Sequence, residues 1–431
     1  MDRVDRMASN LRSRLFSSAC SRCLLSALLM LALPLAAFAQ DNSPYGVHSH
    51  VARGDEYPFL AGEMDLMQQA GIGWLRTGFV WSQIEGSSGE RDYRLADDVV
   101  AQAAEHGIRI MGLLHGAPER ALPIVEHLDG WLEFVRTTVE RYKGRVPAWQ
   151  IWNEPNLDQF WKDPNPEHYA ALLKATYPAI KSIDPDATVV WGATSMLDWN
   201  FLEPALTSAG DVFDVMAIHP YGYEDPRAPA AYIPDALDEL RGLLRRHGLG
   251  DKPIWFTEWG WPTHTGQRGI SDRQQGQYIA RAHIVALHAG LARSFWYEFQ
   301  ERAVADEINE DAFGILEFDL KPKPAYKAYA TLIAVRPPGS VPVAGTWKTG
   351  LVYHPAWTRP DGVVVHAVWD IWGRWKSPRK VPVRIDGTIQ EAKDYLGVPM
   401  ELEMDAEGRT LLPLDWGSPL YIVGPTRIAF E

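Results

Sequence analysis

At 431 residues, 46% apolar and 23% charged, the chain is long and apolar enough for a large buried core, which excludes a disordered polypeptide. A formal net charge of −13 argues against nucleic acid and anionic membrane surfaces as partners and leaves a neutral polymer open. The 18 Trp residues suit thick core packing, sugar-stacking platforms, or both.

The first 39 residues differ from the rest. Arg3, Arg6, Arg12, Arg14 and Arg22 form a basic leader, an apolar run follows over 24–37, and Ala37-Phe38-Ala39 gives a small-x-small cleavage pattern before Gln40. The run is shorter than the roughly 20 residues of a membrane span. The pattern predicts a secretory signal peptide over 1–39, and hence a periplasmic or extracellular protein with no membrane attachment after cleavage; the alternative is an uncleaved anchor. The segment carries five Arg against Asp2 and Asp5, so its removal takes the net charge from −13 to −16. Cys20 and Cys23 leave with it, so the mature chain would hold no disulfide and no thiolate chemistry.

From Tyr45 onward, short β-branched or aromatic runs alternate with longer stretches of helical period. Strands are predicted over 45–50, 73–80, 108–115, 148–153, 188–194, 212–219, 254–258 and 294–299. Helices are predicted over 60–70, 95–106, 125–142, 167–183, 201–208, 236–247, 272–289 and 325–334. Ser271 with Gln274 forms a capping-box pattern at the start of the seventh helix. Eight strands each followed by a helix is the count of a (β/α)8 TIM barrel, here over 40–336, with an open doubly wound sheet as runner-up. Beyond Pro337 the helical period disappears. Short strand-like runs separated by turn signals such as Pro360-Asp361-Gly362 predict a small all-β, sandwich-like domain over 337–431.

Two segments place a carboxylate after a buried strand among aromatics: Trp149-Gln150-Ile151-Trp152-Asn153-Glu154-Pro155-Asn156 and Ile254-Trp255-Phe256-Thr257-Glu258-Trp259-Gly260-Trp261-Pro262. Glu154 and Glu258 then sit at C-terminal strand ends, the face on which barrel active sites are built. Glycosidic cleavage needs one carboxyl to protonate the leaving oxygen and a second to attack the anomeric carbon or activate water.

With these motifs in their order, the chain resembles clan A of the glycoside hydrolases, whose barrels carry an Asn-Glu pair after strand four and a Glu after strand seven. The Trp-Asn-Glu-Pro-Asn motif with a trailing β-domain is most similar to family 39, including its exopolysaccharide-cleaving type. The resemblance implies a retaining hydrolase working through a covalent glycosyl-enzyme, with Glu154 as acid/base and Glu258 as nucleophile. It implies that Asn153 binds the sugar 2-hydroxyl, that Arg76 supports the nucleophile, that Tyr221 orients it, and that His219 lies near Glu154. Trp296, at the end of the eighth strand, would form the aromatic floor of the central subsite, against the plainer reading of barrel-core packing.

His115, His48 and His50 end strands and are candidate sugar-hydroxyl contacts, balanced against structural roles; Trp81, Trp152, Trp259 and Trp261 fit a supporting shell. His48-Ser49-His50 has no nearby carboxylate or cysteine in sequence to complete a metal site, and neither a metal nor a cofactor is expected. The long loops at 223–231 and 298–310 would shape the ends of a cleft. Trp347, Trp369, Trp372, Trp375 and Trp416 could present a separate carbohydrate-binding surface, although packing against the barrel is the expected role. The partner expected is a carbohydrate, and the sequence implies no particular oligomeric state. A transglycosylase would use the same pair, and a non-catalytic polysaccharide-binding barrel would dispense with it.

Overall fold

The computed structural model describes residues 43–51, 59–86, 89–222, 232–264, 266, 269–302, 311–371 and 379–430. The expected leader and most of the two expected cleft loops lie outside them, as do Trp372 and Trp375. No helix among the described residues is long and apolar enough to cross a membrane.

The strands are β1 (Tyr45–His48), β2 (Trp74–Val80), β3 (Arg109–His115), β4 (Ala148–Ile151), β5 (Thr188–Val190), β6 (Thr194–Ser195), β7 (Met216–His219), β8 (Ile254–Phe256) and β9 (Arg293–Tyr297). All pair in parallel, in the order β5-β4-β3-β2-β1-β9-β8-β7-β6. The two ends of that order are consecutive in the chain, and a Val190↔Val215 bridge joins β5 to the stretch entering β7, so the sheet closes. This is the (β/α)8 barrel, with its fifth strand broken in two.

The break has a local cause. Trp191 N–H donates to the Val215 carbonyl, Gly192 N–H donates to Tyr169 Oη at 2.5 Å, and the Ala193 carbonyl accepts from Glu154 N–H. A Cβ on Gly192 would collide with the Ile151 carbonyl oxygen, so the backbones of the fourth and fifth strands approach here as only glycine allows.

Eight helices cover the sheet: α1 (Leu60–Ala70), α2 (Arg94–Glu105), α3 (Leu128–Tyr142), α4 (Pro166–Ile183), α5 (Trp199–Ala209), α6 (Ile233–Arg246), α7 (Asp272–His288) and α8 (Pro324–Val335). Their starts are encoded locally. Asn165 caps α4 with Pro166 in its first turn, Asp198 caps α5, and the Ser271–Gln274 capping box opens α7.

Inside the barrel, Trp74, Met111, Ala148, Val190, Ala217, Trp255 and Phe295 form an apolar plug. Two residues after Trp74, Ala148, Ala217, Trp255 and Phe295 come Arg76, Gln150, His219, Thr257 and Tyr297, and after Met111 comes Leu113, so period-two alternation raises a mainly polar layer above the plug.

The strands after α8 form a sheet built around Val364–Asp370 and Leu420–Val423, and a second around Arg379–Asp386 and Thr410–Leu414. Alternation divides the first sheet's faces. Val365, Ala367, Trp369, Tyr421 and Val423 belong to the main core, while Val368, Leu420 and Ile422 pack with Val383, Leu412 and Leu414 of the second sheet. Trp357 donates to the Val335 carbonyl at the end of α8, Gln277 of α7 donates to Ser418 Oγ at 2.7 Å, and Arg273 pairs with Asp415. Trp347 stacks on His288 of α7 and Arg281 lies over Trp416, so these two aromatics serve the domain's packing on the barrel.

Candidate active site

A cavity of about 1170 Å³ opens at the C-terminal ends of the barrel strands, and Glu154 and Glu258 share it. Glu154 follows β4 and Glu258 follows β8, the seventh strand of the barrel. One ligand oxygen of each and a ring nitrogen of His219 all lie within 4.8 Å of one another.

The Asn153-Glu154 pair reaches the cavity through a local change of backbone. Ala148 and Gln150 face the barrel axis, so plain alternation would send Trp152 inward. Trp152 instead takes φ +70° and packs outward between Trp131 and Trp161, at ring distances of 5.8 and 5.2 Å. Glu154 also lies at positive φ, +41°. Trp152 N–H donates to the Leu114 carbonyl and Glu154 N–H to that of Ala193, so hydrogen bonds hold two backbone conformations that non-glycine residues rarely adopt.

Arg76, fully buried, organises the other side. It ion-pairs with Glu258 Oε1 and donates to Asn153 Oδ1 at 2.8 Å and to Gln150 Oε1 at 2.8 Å; its Nη1 lies 2.9 Å from His48 Nδ1. Tyr221 donates its hydroxyl to Glu258 Oε2 at 3.0 Å. His219 Nδ1 lies 2.9 Å from Glu154 Oε1 and 3.6 Å from Glu258 Oε2, and its Nε2 lies 3.0 Å from Thr257 Oγ1.

Burial by itself would raise the pKa of Glu258. Attraction to the side chains of His219 and Arg76, with hydrogen bonds from Tyr221 and Arg76, outweighs it and holds the carboxyl below its ordinary value. Glu258 is thus kept ionised, as a nucleophile must be. Glu154 has no Arg or Lys among its partners: its carboxyl meets only His219 among the described residues.

The same three side chains are the grouping with metal-ligand potential among the described residues. A dication bound there would sit against the Arg76 guanidinium already paired with Glu258, so the donor set does not suit a metal.

The family model for glycosyl hydrolases family 39 matches residues 126–336, a stretch that holds both carboxylates. Over that stretch the chain is similar to glycosyl hydrolases family 39. Among its relatives are a "Beta-xylosidase" of Geobacillus stearothermophilus, 26% identical over 217 residues, covering 44% of this chain and 42% of that protein, and a second from Caldicellulosiruptor saccharolyticus, 26% identical over 219 residues, covering 46% and 44%. The chain spans less than half the length of these relatives. In structure it is similar to a family 39 glycoside hydrolase of Bacteroides cellulosilyticus WH2, with TM-score 0.75 and 24% identity over 91% of this chain and 82% of that one. A family 39 enzyme of Xanthomonas axonopodis pv. citri superposes with TM-score 0.65 at 16% identity, over 91% and 95%.

The structure brings together Glu154, Glu258, Asn153, Arg76, His219, Tyr221 and His48, and His50 and His115 also line the cavity. Trp296 is a correction. Phe295 belongs to the plug, so Trp296 points the other way, away from the cavity, where it is fully buried beside Trp259, Trp261 and His283. It packs the layer between sheet and helices, and Tyr297, next along β9, lines the cavity in its place. Trp81, Trp152, Trp259 and Trp261 are likewise buried and line no part of the cavity.

Sequence reasoning missed Tyr297, Phe313, Arg302, Gln150 and Thr257. Tyr297 stacks on His48 at 5.3 Å and meets Phe313 edge-on, and its hydroxyl lies 3.4 Å from His50 Nε2. Arg302 lies over the Tyr297 ring and bridges His50 and Glu298. For Tyr297 the available signal was strand parity. For Gln150 it was an amide in a central strand otherwise made of apolar and aromatic residues, since such a group is retained only where it has partners.

Proposed function

We propose that the protein is a retaining glycoside hydrolase that cleaves a β-linked poly- or oligosaccharide by double displacement. The observation that carries this reading is the pair of carboxyls with one oxygen of each within 4.8 Å of the other, of which Glu258 alone is held by Arg76 and Tyr221. Retention needs carboxyl groups about 5–5.5 Å apart, whereas inversion needs roughly 6.5–9.5 Å to admit a water.

In the first step Glu258 attacks the anomeric carbon while Glu154 gives its proton to the leaving oxygen, so one C–O bond forms as another breaks. In the second, Glu154, now ionised, takes a proton from water, whose oxygen attacks the anomeric carbon and releases Glu258. Family 39 is a retaining family, in keeping with this chemistry. The names of the relatives, β-xylosidases and endo-1,4-β-xylanases, favour a β-linked substrate. With the leader expected over 1–39, the polymer would be met in the periplasm or outside the cell, where a bacterial exopolysaccharide is a natural substrate.

The test is cleavage of a panel of β-glycosides, xylan-type polymers and bacterial exopolysaccharides by wild type, Glu258→Gln and Glu154→Gln. Wild type is expected to release first-formed sugar of retained configuration. Glu258→Gln should lose at least ~10³-fold in kcat/KM and Glu154→Gln about 10²–10⁴-fold on substrates with poor leaving groups. A glycan cut equally well by both variants would remove this assignment.

A further inference from the structure

The two carboxylates are joined beneath the cavity by a chain of buried hydrogen bonds whose direction is fixed at one end. Arg76 Nε can only donate, and it donates to Gln150 Oε1 at 2.8 Å. The other end of that amide is therefore NH2. It donates to the Trp191 carbonyl at 3.1 Å, which can only accept, and to Thr257 Oγ1 at 2.9 Å. Both neighbours thus demand the same orientation of Gln150. Thr257 Oγ1, already accepting from Gln150, has its own hydrogen left to donate, and its remaining polar neighbour among the described residues is His219 Nε2 at 3.0 Å.

We propose that Gln150 and Thr257 are positioning residues that place the proton of the neutral His219 imidazole on Nδ1 and so aim the acid proton of Glu154. With Nε2 accepting from Thr257, Nδ1–H donates to Glu154 Oε1 at 2.9 Å. The proton Glu154 needs for the first step then belongs on Oε2, which has no protein partner among the described residues and is free for a leaving glycosidic oxygen.

The opposite tautomer has two costs. Thr257 Oγ1 would accept twice and leave its hydroxyl hydrogen buried without an acceptor. His219 Nδ1 would then present a lone pair to Glu154 and draw the acid proton onto itself instead of the substrate. The consequence for catalysis rests on the glycosidase reading above; the direction of the chain does not.

The test is NMR of the full chain labelled with 15N-histidine, near neutral pH, with His219→Asn used to assign the resonances. Wild type should show the Nδ1–H tautomer of His219, with Nε2 unprotonated. Thr257→Val, which removes the hydroxyl and keeps the shape, should lose that preference, and Thr257→Ser should keep it. On whichever glycoside the wild type cleaves, Thr257→Val should lower kcat roughly 10- to 100-fold, less than the full contribution of a positioned proton donor, with Thr257→Ser close to wild type. An Nε2–H tautomer in wild type, or an unchanged tautomer in Thr257→Val, would overturn the inference. Should Thr257→Val fail to fold, the wild-type spectrum decides by itself. A wild type that shows the Nδ1–H tautomer and cleaves no glycoside would overturn the functional reading and leave the tautomer assignment standing.

Discussion

Arg76 reaches Glu258, Asn153, His48 and Gln150 from one guanidinium, and each of those bonds is buried. It supplies charge to the nucleophile and direction to the amide beneath it. Replacing it with Met should leave burial to act on Glu258 with less opposition. The Glu258 carboxyl would then titrate higher, and the acid limb of the kcat/KM profile, where that carboxylate protonates, should move to higher pH. A profile whose acid limb stays in place as the rate falls would show that Arg76 only packs. At this scale Glu154 and Glu258 could be singled out from their strand-end setting, and the clan A resemblance added Asn153, Arg76 and Tyr221. Thr257 and Gln150 could not, because a hydroxyl or amide in a strand gains its meaning from partners on other strands.

At the scale of the element, legibility depended on parity. Trp296 and Tyr297 are adjacent aromatics at the end of β9, and composition cannot say which one enters the barrel. Phe295 in the plug decides it, since residues two apart share a face. The end of β4 breaks the same rule, because the left-handed Trp152 turns its ring outward and lets Asn153 take the inward position. The fifth strand was predicted as one run over 188–194 and is two, since the backbone at Gly192 bonds to a tyrosine hydroxyl instead of a neighbouring strand. In the C-terminal domain, the strands Glu391–Asp394 and Arg427–Phe430 are hard to read from sequence because neither shows the apolar alternation that marks a half-buried strand. Gly260, two residues after Glu258, tests how tightly the strand ends are fitted: a Cβ there would strike the Tyr297 carbonyl oxygen, part of the backbone. Gly260→Ala should therefore cost about 1–3 kcal/mol in denaturant unfolding and depress activity by displacing Glu258. Wild-type values of both would mean that the loop yields without moving the carboxylate.

Across the whole molecule, the described part of the β-domain continues the barrel's core. One sheet packs on α7 and α8 through Trp357, Trp369 and Tyr421, and the other closes over its far face. Two buried histidines tie stability to pH. Burial pushes the pKa of His283, between α7 and β9, down to about 3, and that of His366, on the strand Val364–Asp370, down to about 4. Both start from 6.5 in the unfolded chain, so between 6.5 and the folded value the unfolded state binds a proton that the folded state refuses. Their contribution is present in full above 6.5 and is lost as pH falls, at up to about 1.4 kcal/mol per pH unit for each. Unfolding free energies measured by urea in steps from pH 7 to pH 5 should fall accordingly, and a flat curve there would contradict the burial of both as neutral rings.

The central claim is that Glu258 forms a covalent bond to the sugar, and intact-protein and peptide mass spectrometry after reaction with activated 2-deoxy-2-fluoro-β-glycosides tests it most directly. Substitution at C2 destabilises the oxocarbenium-like transition states, and a good leaving group lets the first step outrun the second, so the intermediate accumulates. The account predicts one fluoro-sugar per chain, attached to the peptide carrying Glu258 and absent from Glu258→Gln. A label on any other residue, or a sugar released with inverted configuration and no label, would contradict it.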